Sequence, residues 1–169
     1  IIGLLLVVTI PAIQMVREAA RKTNCSARLR QVGLGIQAYH STKAKFPVGG
    51  LEWRPWGNTT NRQLAWSALI LPYIEQHPIY DQIDFEQAFD SPANQLAASQ
   101  VITTYICPSG ARGTELVEGR GPADFGGIFG ERISGPNQPP KGMMLYDTWL
   151  SASDVVDGLS NTIVIAEDT

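Results

Sequence analysis

The sequence is poor in charge and has no basic excess. Charged residues make up 17% of the 169 residues, and the formal net charge is −3 at pH 7. A nucleic-acid-binding domain needs a basic face that neutralises phosphates, so the composition argues against such a partner. Hydrophobic residues make up 44%, which is typical of a chain that buries a core rather than of a disordered chain. The length suits a single globular chain of ordinary size.

Residues that carry catalysis or bind metals are also scarce. The chain has two cysteines and two histidines, and neither pair has the spacing of a metal site. The sequence contains no nucleophile elbow, zinc-protease motif, phosphate-binding loop or dinucleotide-binding glycine pattern. We therefore expect no enzyme activity and no cofactor.

The first sixteen residues contain no charged side chain. As a helix this segment would be about 24 Å long, short of the roughly 20 residues that cross a bilayer. Because no Met precedes Ile1, we expect the sequence to begin partway through a longer hydrophobic segment that followed a leader. Three interpretations fit: a plain membrane anchor, the apolar region of a secretory signal, or a helix that spans the membrane first and later packs against its copies.

A helical pattern continues far beyond this apolar segment. Pro11 is expected to kink the helix rather than end it, because apolar residues continue on both sides. Apolar residues then recur every three or four positions, which places them on one face that we expect to pack on the rest of the chain. They are Cys25, Leu29, Val32, Ile36 and Tyr39. The pattern predicts one helix of about 43 residues, roughly 65 Å long, that is apolar over 1–16 and amphipathic over 25–40.

The expected fold class is α+β, with a helical domain over 1–45 and a globular head over 46–169. Short helices are predicted within 64–75 and 79–84, and a third from an N-cap at Ser91 to Ser99. β-branched and aromatic residues predict four short strands. Their ranges are 101–107, 124–133, 143–149 and 162–167. We expect the long helix to pack on a small antiparallel sheet formed by these strands.

Several segments together resemble a known family. They include Ile1 to Leu6, Pro11 to Gln14, Arg17 to Lys22, Tyr105 to Ser109 and Asp154 to Ile163. On these residues the chain resembles type IV pilins and the pseudopilins of type II secretion. Within that group it is most similar to the planctomycete-type prepilin-like family that carries a domain of unknown function. The family's usual start, a basic leader and then Gly-Phe-Thr-Leu-Ile-Glu, does not occur in this sequence.

The resemblance implies a filament subunit, which polymerises with copies of itself after handling by inner-membrane assembly machinery. It would reside in the inner membrane first and then in a cell-surface or periplasmic filament. The residues implied in the assembly helix are Ile1, Leu4, Leu5, Leu6, Val7, Val8, Ile10, Pro11 and Ile13. The charged residues that follow are candidates for contacts between subunits or with lipid headgroups, although a solvated helix face explains them equally well. They are Arg17, Glu18, Arg21 and Lys22.

The two cysteines are candidates for one disulfide bond. Cys25 lies on the head-facing side of the helix, and Cys107 ends a predicted strand that would pack there. Such a bond would close a loop of about 80 residues and stabilise the fold by on the order of 4 kcal/mol in the chain-entropy model. It also requires an oxidising compartment. Two buried free thiols are the alternative.

Two further candidates concern ligands of the head. Oxygen-bearing side chains that suit calcium occur at Asp154, Asp157 and Asn161, although turns and helix caps use the same residue types. A carbohydrate-binding platform is the other candidate, although packing is the commoner role of tryptophan. Its residues would be Trp53, Trp56 and Trp66. The alternative function is therefore a membrane-tethered surface module that recognises a glycan or a partner protein.

Overall fold

The computed structural model describes residues 2–53, 55, 58, 60–110, 113–130 and 142–168, with side chains from residue 10 onward. Some predicted residues lie outside these described side chains. They are Trp56 and, in the assembly helix, Ile1, Leu4, Leu5, Leu6, Val7 and Val8.

A single helix, α1, runs over Ile2–Lys43 and contains Pro11. Its end is set by Ala44, which adopts a left-handed φ of 56° and donates its N–H to the carbonyl of His40 at 2.7 Å. A left-handed residue after the last turn is a common way for a helix to stop. Lys43 lies in that last turn, where a cation suits the negative end of the helix. The predicted long helix is confirmed.

The described part of the head contains two separate two-stranded antiparallel sheets. Strand β1 (Gly50–Leu51) pairs with β2 (Leu64–Ala65). Strand β3 (Phe125–Gly127) pairs with β4 (Ile165–Glu167), with Gly126 opposite Ala166. Together with α1 and the short helices, these pairs give the predicted α+β fold with a small antiparallel head.

Short helical elements make up much of the rest of the head. The α-helical ones are α2 (Trp66–Leu69), α3 (His77–Tyr80) and α4 (Gln95–Ala98). Single 3₁₀ turns occur at Leu71–Ile74, Thr103–Tyr105, Ala152–Asp154 and Leu159–Asn161. Pro72 lies in the first turn of its 3₁₀ element, where its missing N–H costs no hydrogen bond.

The core lies between the second half of α1 and the head. Val32 and Ile70 are completely buried, and Met144 and Leu71 nearly so. The helix packs on the 3₁₀ turns at Leu71–Ile74 and Thr103–Tyr105 and on β4. This packing fixes one half of α1 and leaves the other half projecting.

The predicted strand over 101–107 is wrong. Tyr105 donates its N–H to the carbonyl of Ile102 at 2.9 Å, and Ile106 donates to Thr103 at 3.2 Å, so this segment bonds locally as a 3₁₀ turn. The Cys107 N–H, instead of joining a ladder, donates to the carboxylate of Asp124 at 2.8 Å. The β-branched composition of this segment therefore does not produce a strand, because the N–H groups of Tyr105, Ile106 and Cys107 bond to local carbonyls and to a carboxylate.

The predicted strand over 143–149 is also wrong. The segment divides its backbone hydrogen bonds between two neighbours. The Met144 N–H donates to the carbonyl of Ile128, whereas the Leu145 carbonyl accepts from the N–H of Gly49. A single parallel bridge joins Gly50 to Tyr146. Among the described residues no one partner runs alongside for several residues, and Asp147 adopts a left-handed φ of 52°, so the segment forms no strand. Of the other two predicted strands, 124–133 contains β3 and 162–167 contains β4, each shorter than expected.

The helix predicted from an N-cap at Ser91 begins later. It starts at Gln95, because residues 91–94 form a turn in which Asn94 donates its N–H to the Ser91 carbonyl at 3.0 Å. The Asn94 side chain is committed to the preceding loop, with Nδ2 donating to the carbonyl of Asp84 at 2.9 Å and Oδ1 accepting from its N–H at 2.8 Å. These bonds hold residues 91–94 in a turn, so the helix begins only at Gln95.

Candidate functional site

The projecting half of α1 presents an exposed apolar surface, which consists of Ile10, Ile13, Met15 and Val16. These side chains are between 56% and 68% exposed. Pro11, within the same stretch, is also exposed. Large contiguous apolar patches are rare on soluble monomers and often mark interaction sites. This surface is therefore the main candidate for an interaction site.

The opposite half of α1 is held by the head. Val32, Ile36 and Tyr39 are buried in the core, and Leu29 packs against it half-buried. Burial raises the pKa of the Tyr39 hydroxyl, so the phenol stays neutral in the core. The face of α1 that was predicted to pack on the head, from Leu29 to Tyr39, therefore lies against or within the core.

A disulfide bond joins α1 to the head. Cys25 and Cys107 are bonded to each other, with their Cα atoms 4.7 Å apart and a sequence separation of 82. One turn along the helix, Arg28 donates from Nη1 to the carbonyl of Ile106 at 2.8 Å. The fully buried Asp124 accepts the Cys107 N–H from the other side. One disulfide bond and two hydrogen bonds therefore hold this junction together.

Among the predicted inter-subunit charges, Glu18 and Arg21 are paired within the chain. Arg21 Nε lies 2.9 Å from Glu18 Oε2, and the hydroxyl of Ser109 donates to Glu18 Oε1 at 3.0 Å. The hydrogen bond from Ser109, followed by that from Arg21, holds the pKa of the Glu18 carboxyl below its ordinary value. The Glu18 carboxylate is thus an internal link between α1 and the head.

Arg17 and Lys22 are exposed on the same part of α1. Within the described ranges, neither forms an ion pair. Lys22 is near enough to help lower the pKa of Glu18, but its ammonium group remains open to solvent. Of the four predicted charges, these two remain available for a partner.

The three calcium candidates lie in local turns and caps. Asp154 Oδ2 accepts from the N–H of Ser151 at 2.7 Å and from its hydroxyl at 2.6 Å, and these bonds hold the pKa of the Asp154 carboxyl low. Asn161 donates from Nδ2 to the backbone carbonyl of Asp157 at 3.0 Å. Asp154 and Asn161 therefore each have a structural role in the C-terminal segment.

One group of potential metal-ligating atoms lies within 4.8 Å of one another in the described part of the chain. It consists of Cys25, Cys107 and Glu167. Because the two sulfurs are bonded to each other, they offer no thiolate to an ion. The group is therefore the disulfide bond with the carboxylate of Glu167 beside it.

Trp53 and Trp66, the two described tryptophans of the predicted carbohydrate platform, do not share one surface. Trp66 is buried, with its ring centroid 5.9 Å from that of Tyr105. Its predicted place in the platform is therefore wrong, because it belongs to the core. Trp53 is 54% exposed and packs edge-on against Tyr146 at 4.9 Å, and Phe129 lies 5.8 Å beyond Tyr146. Trp53, Phe129 and Tyr146 form an exposed aromatic cluster that the sequence did not indicate, because its members are distant in the chain.

Sequence reasoning also missed Ser109 and Asp124. Ser109 follows the Cys-Pro pair, and Asp124 precedes β3, so neither belongs to a periodic pattern. Their roles depend on contacts with α1 and with Cys107 across the fold. The available signal for Ser109 was its position two residues after Cys107, the candidate for the disulfide bond.

Comparison with known proteins places the chain in a family. Residues 14–169 match the model of a family described as "Protein of unknown function (DUF1559)", and the chain belongs to that family. Comparisons with curated proteins and with solved structures gave no match. Within the described part of the chain, no helix combines the length and apolar character needed to cross a bilayer.

Proposed function

We propose that this chain is a structural subunit of a type IV pilus-like or pseudopilus filament, without a catalytic role or a cofactor. The observation that carries the proposal is the exposed apolar surface on α1, beyond a junction that fixes the other half of the helix to the head. A helix held so firmly at one end carries this surface away from the head, with Met15 on a different side of the helix from Ile10 and Ile13. Copies of the chain then bury one another's helices in a shared centre.

Burial of this surface would supply a useful driving force. Ile10, Ile13, Met15 and Val16 are each more than half exposed. Covering such a side chain contributes on the order of 1–2 kcal/mol. A contact repeated head to tail between identical subunits has open symmetry and grows into a fibre. The heads would form the outer shell.

The proposal includes a route and a set of partners. The apolar start of α1 would hold the subunit in the inner membrane, where assembly machinery transfers it to the filament. The filament would then lie at the cell surface or in the periplasm. Arg17 and Lys22, which are exposed next to the apolar surface, are the charges best placed to meet a neighbouring subunit. The net charge of −3 is a poor match for a nucleic-acid partner.

The experiment compares two variants of the protein in its native cells. Ile13→Asp places a charge within the exposed apolar surface, and we expect it to abolish filaments that sediment from sheared cells, because burying an unpaired carboxylate is costly. Asn24→Asp adds the same charge at an exposed position next to Cys25 and should leave filaments intact. Unchanged filament yield in Ile13→Asp would argue against assembly through this surface.

A second candidate, a membrane-tethered module that binds a glycan, is favoured by the exposed aromatic cluster. Exposed Trp53 beside Tyr146 offers the ring surface on which sugars stack. Glycan-array binding that disappears in Trp53→Ala, by a protein that stays monomeric, would favour this function over the filament. Assembly without glycan binding would exclude it.

A further inference from the structure

The head contains a pocket of ≈ 240 Å³ that has no part in the proposed function. We call it the head pocket. It lies between α2, α3, α4 and the segment 120–123, and most of its wall is apolar. The side chains that form its apolar wall include Ala68, Leu71, Ile79, Ile83, Ala97 and Ile102.

The size and wall of the head pocket suit a small apolar body. An apolar cavity of about 150 Å³ is sufficient to bind benzene. At ≈ 240 Å³ the head pocket has room for a ring and one small substituent. Leu71 and Ala97 are buried parts of the core, so this wall is formed before any ligand arrives.

One cationic side chain lines the head pocket among the described residues, and it is Arg120. Its guanidinium carbon lies 5.2 Å from the ring centroid of Phe89, another lining residue, which holds the cation at the pocket. Arg120 is also paired with Glu118, but the Glu118 side chain is 76% exposed. An ion pair so open to solvent is weak, and a guanidinium has five donors to share.

Three other polar side chains of the pocket are already engaged. Asn94 donates to the carbonyls of Asp84 and Ala88, and the Tyr105 hydroxyl donates to the carbonyl of Ser67 at 2.7 Å. Gln100 donates from Nε2 to the carbonyl of Leu96 at 3.2 Å. Gln63 and Ser67 also line the pocket, but both are neutral, so Arg120 is the group best placed to select the charge of a ligand.

We propose that the head pocket binds a small carboxylic acid whose apolar body is about the size of a benzene ring. The body occupies the apolar wall, and the carboxylate pairs with Arg120 as a charge-assisted hydrogen-bonded partner. This proposal does not depend on whether the chain forms filaments.

The test titrates the full-length protein in mild detergent with three probes that differ in charge. Benzoate, benzyl alcohol and benzylamine share a ring, and binding is followed through amide NMR shifts of Ala68, Ala97 and Arg120. We expect benzoate to bind with a Kd of about 1 mM, a reasonable value for so small a ligand. Benzylamine should bind most weakly. Equal shifts from all three probes, or benzoate shifts confined to α1, would overturn the proposal.

Matched variants separate charge from volume. Arg120→Gln should weaken benzoate binding about tenfold and leave benzyl alcohol unchanged. Arg30→Gln, which removes a charge from an exposed position on α1, should have no effect. Unchanged benzoate affinity in Arg120→Gln would contradict the assigned role of that residue.

Filling the pocket gives an independent result. Ala68→Leu should abolish binding of benzoate and of benzyl alcohol, whereas Ala93→Leu, at an exposed turn outside the pocket, should not. If Ala68→Leu does not fold, Ala98→Leu fills the same pocket from α4. Retained binding in a folded filling variant would place the ligand elsewhere.

Discussion

The hydroxyl of Ser109 in the head donates a 3.0 Å hydrogen bond to the carboxylate of Glu18 on α1, across 91 residues of sequence. Glu18 lies about two helical turns before the disulfide-bonded Cys25. The head therefore holds the helix beyond the disulfide, up to the boundary of the exposed apolar surface. This contact sets where the fixed half of α1 ends.

Removal of the Ser109 hydroxyl should raise the pKa of Glu18. The hydrogen bond from Ser109 is the largest cause that holds this pKa below 4.5. In Ser109→Ala we expect the pKa, measured by NMR titration of the Glu18 side chain, to move toward its ordinary value. Ser41→Ala is the control, because that hydroxyl donates to the carbonyl of Gln37 instead.

The sign of the pH dependence follows from that shift. A carboxyl whose pKa is lower in the folded state contributes stability above its ordinary value of 4.5 and loses it as the pH falls through the folded-state pKa. The contact between α1 and Ser109 should therefore weaken only in acid. An unchanged Glu18 pKa in Ser109→Ala would mean that the contact is not formed in solution.

Loss of the disulfide should destabilise the junction between helix and head. The bond joins residues 82 apart, for which the chain-entropy model gives about 4 kcal/mol. We expect urea unfolding in mild detergent to shift to lower urea when the wild type is reduced. The Cys25→Ser/Cys107→Ser double variant should unfold at the reduced midpoint with or without reductant. A wild-type urea midpoint that does not change when reductant is added would contradict the disulfide bond between Cys25 and Cys107.

The two faces of α1 should respond differently to the same kind of truncation. Val32 is completely buried, so Val32→Ala should lower the free energy of unfolding by about 2 kcal/mol through lost packing. Leu34 is 55% exposed, and Leu34→Ala should cost less than about 0.5 kcal/mol in the monomer. Equal costs, measured by urea unfolding, would mean that the helix packs on the head by another face.

Asp124 should stabilise the fold mainly as a hydrogen-bond acceptor. Its Oδ2 accepts from the Cys107 N–H, whereas among the described residues its buried Oδ1 has no hydrogen-bond partner. Asp124→Ala leaves the buried Cys107 N–H unpaired, which costs about 1–3 kcal/mol. Asp124→Asn keeps an acceptor and should cost less, and the exposed control Asp157→Ala should cost little. Equal loss of stability in the Ala and Asn variants would show that the negative charge is what matters.

The long helix and its packing could be predicted because they follow from local rules. Helix-favouring composition and the three-to-four spacing of Val32, Ile36 and Tyr39 depend only on neighbours in sequence. The same spacing placed Cys25 on the side that meets Cys107. Periodicity is reliable where one element buries one face.

The head could be predicted only in part because its backbone partners are not local. The segment at 101–107 has strand composition, but its N–H groups bond to nearby carbonyls and to the Asp124 side chain. Strands as short as β1 and β2, two residues each, leave no alternating pattern to detect. The contact of Ser109 with Glu18 depends on the final packing, which no local spacing encodes.

Electron microscopy of native filaments with helical averaging tests the central claim most directly. We expect filaments in which α1 helices pack along the axis, with Ile10, Ile13 and Val16 buried against neighbouring copies and the heads outside. Membrane-bound monomers with this surface in lipid, or filaments joined through the heads alone, would contradict the assembly role of α1.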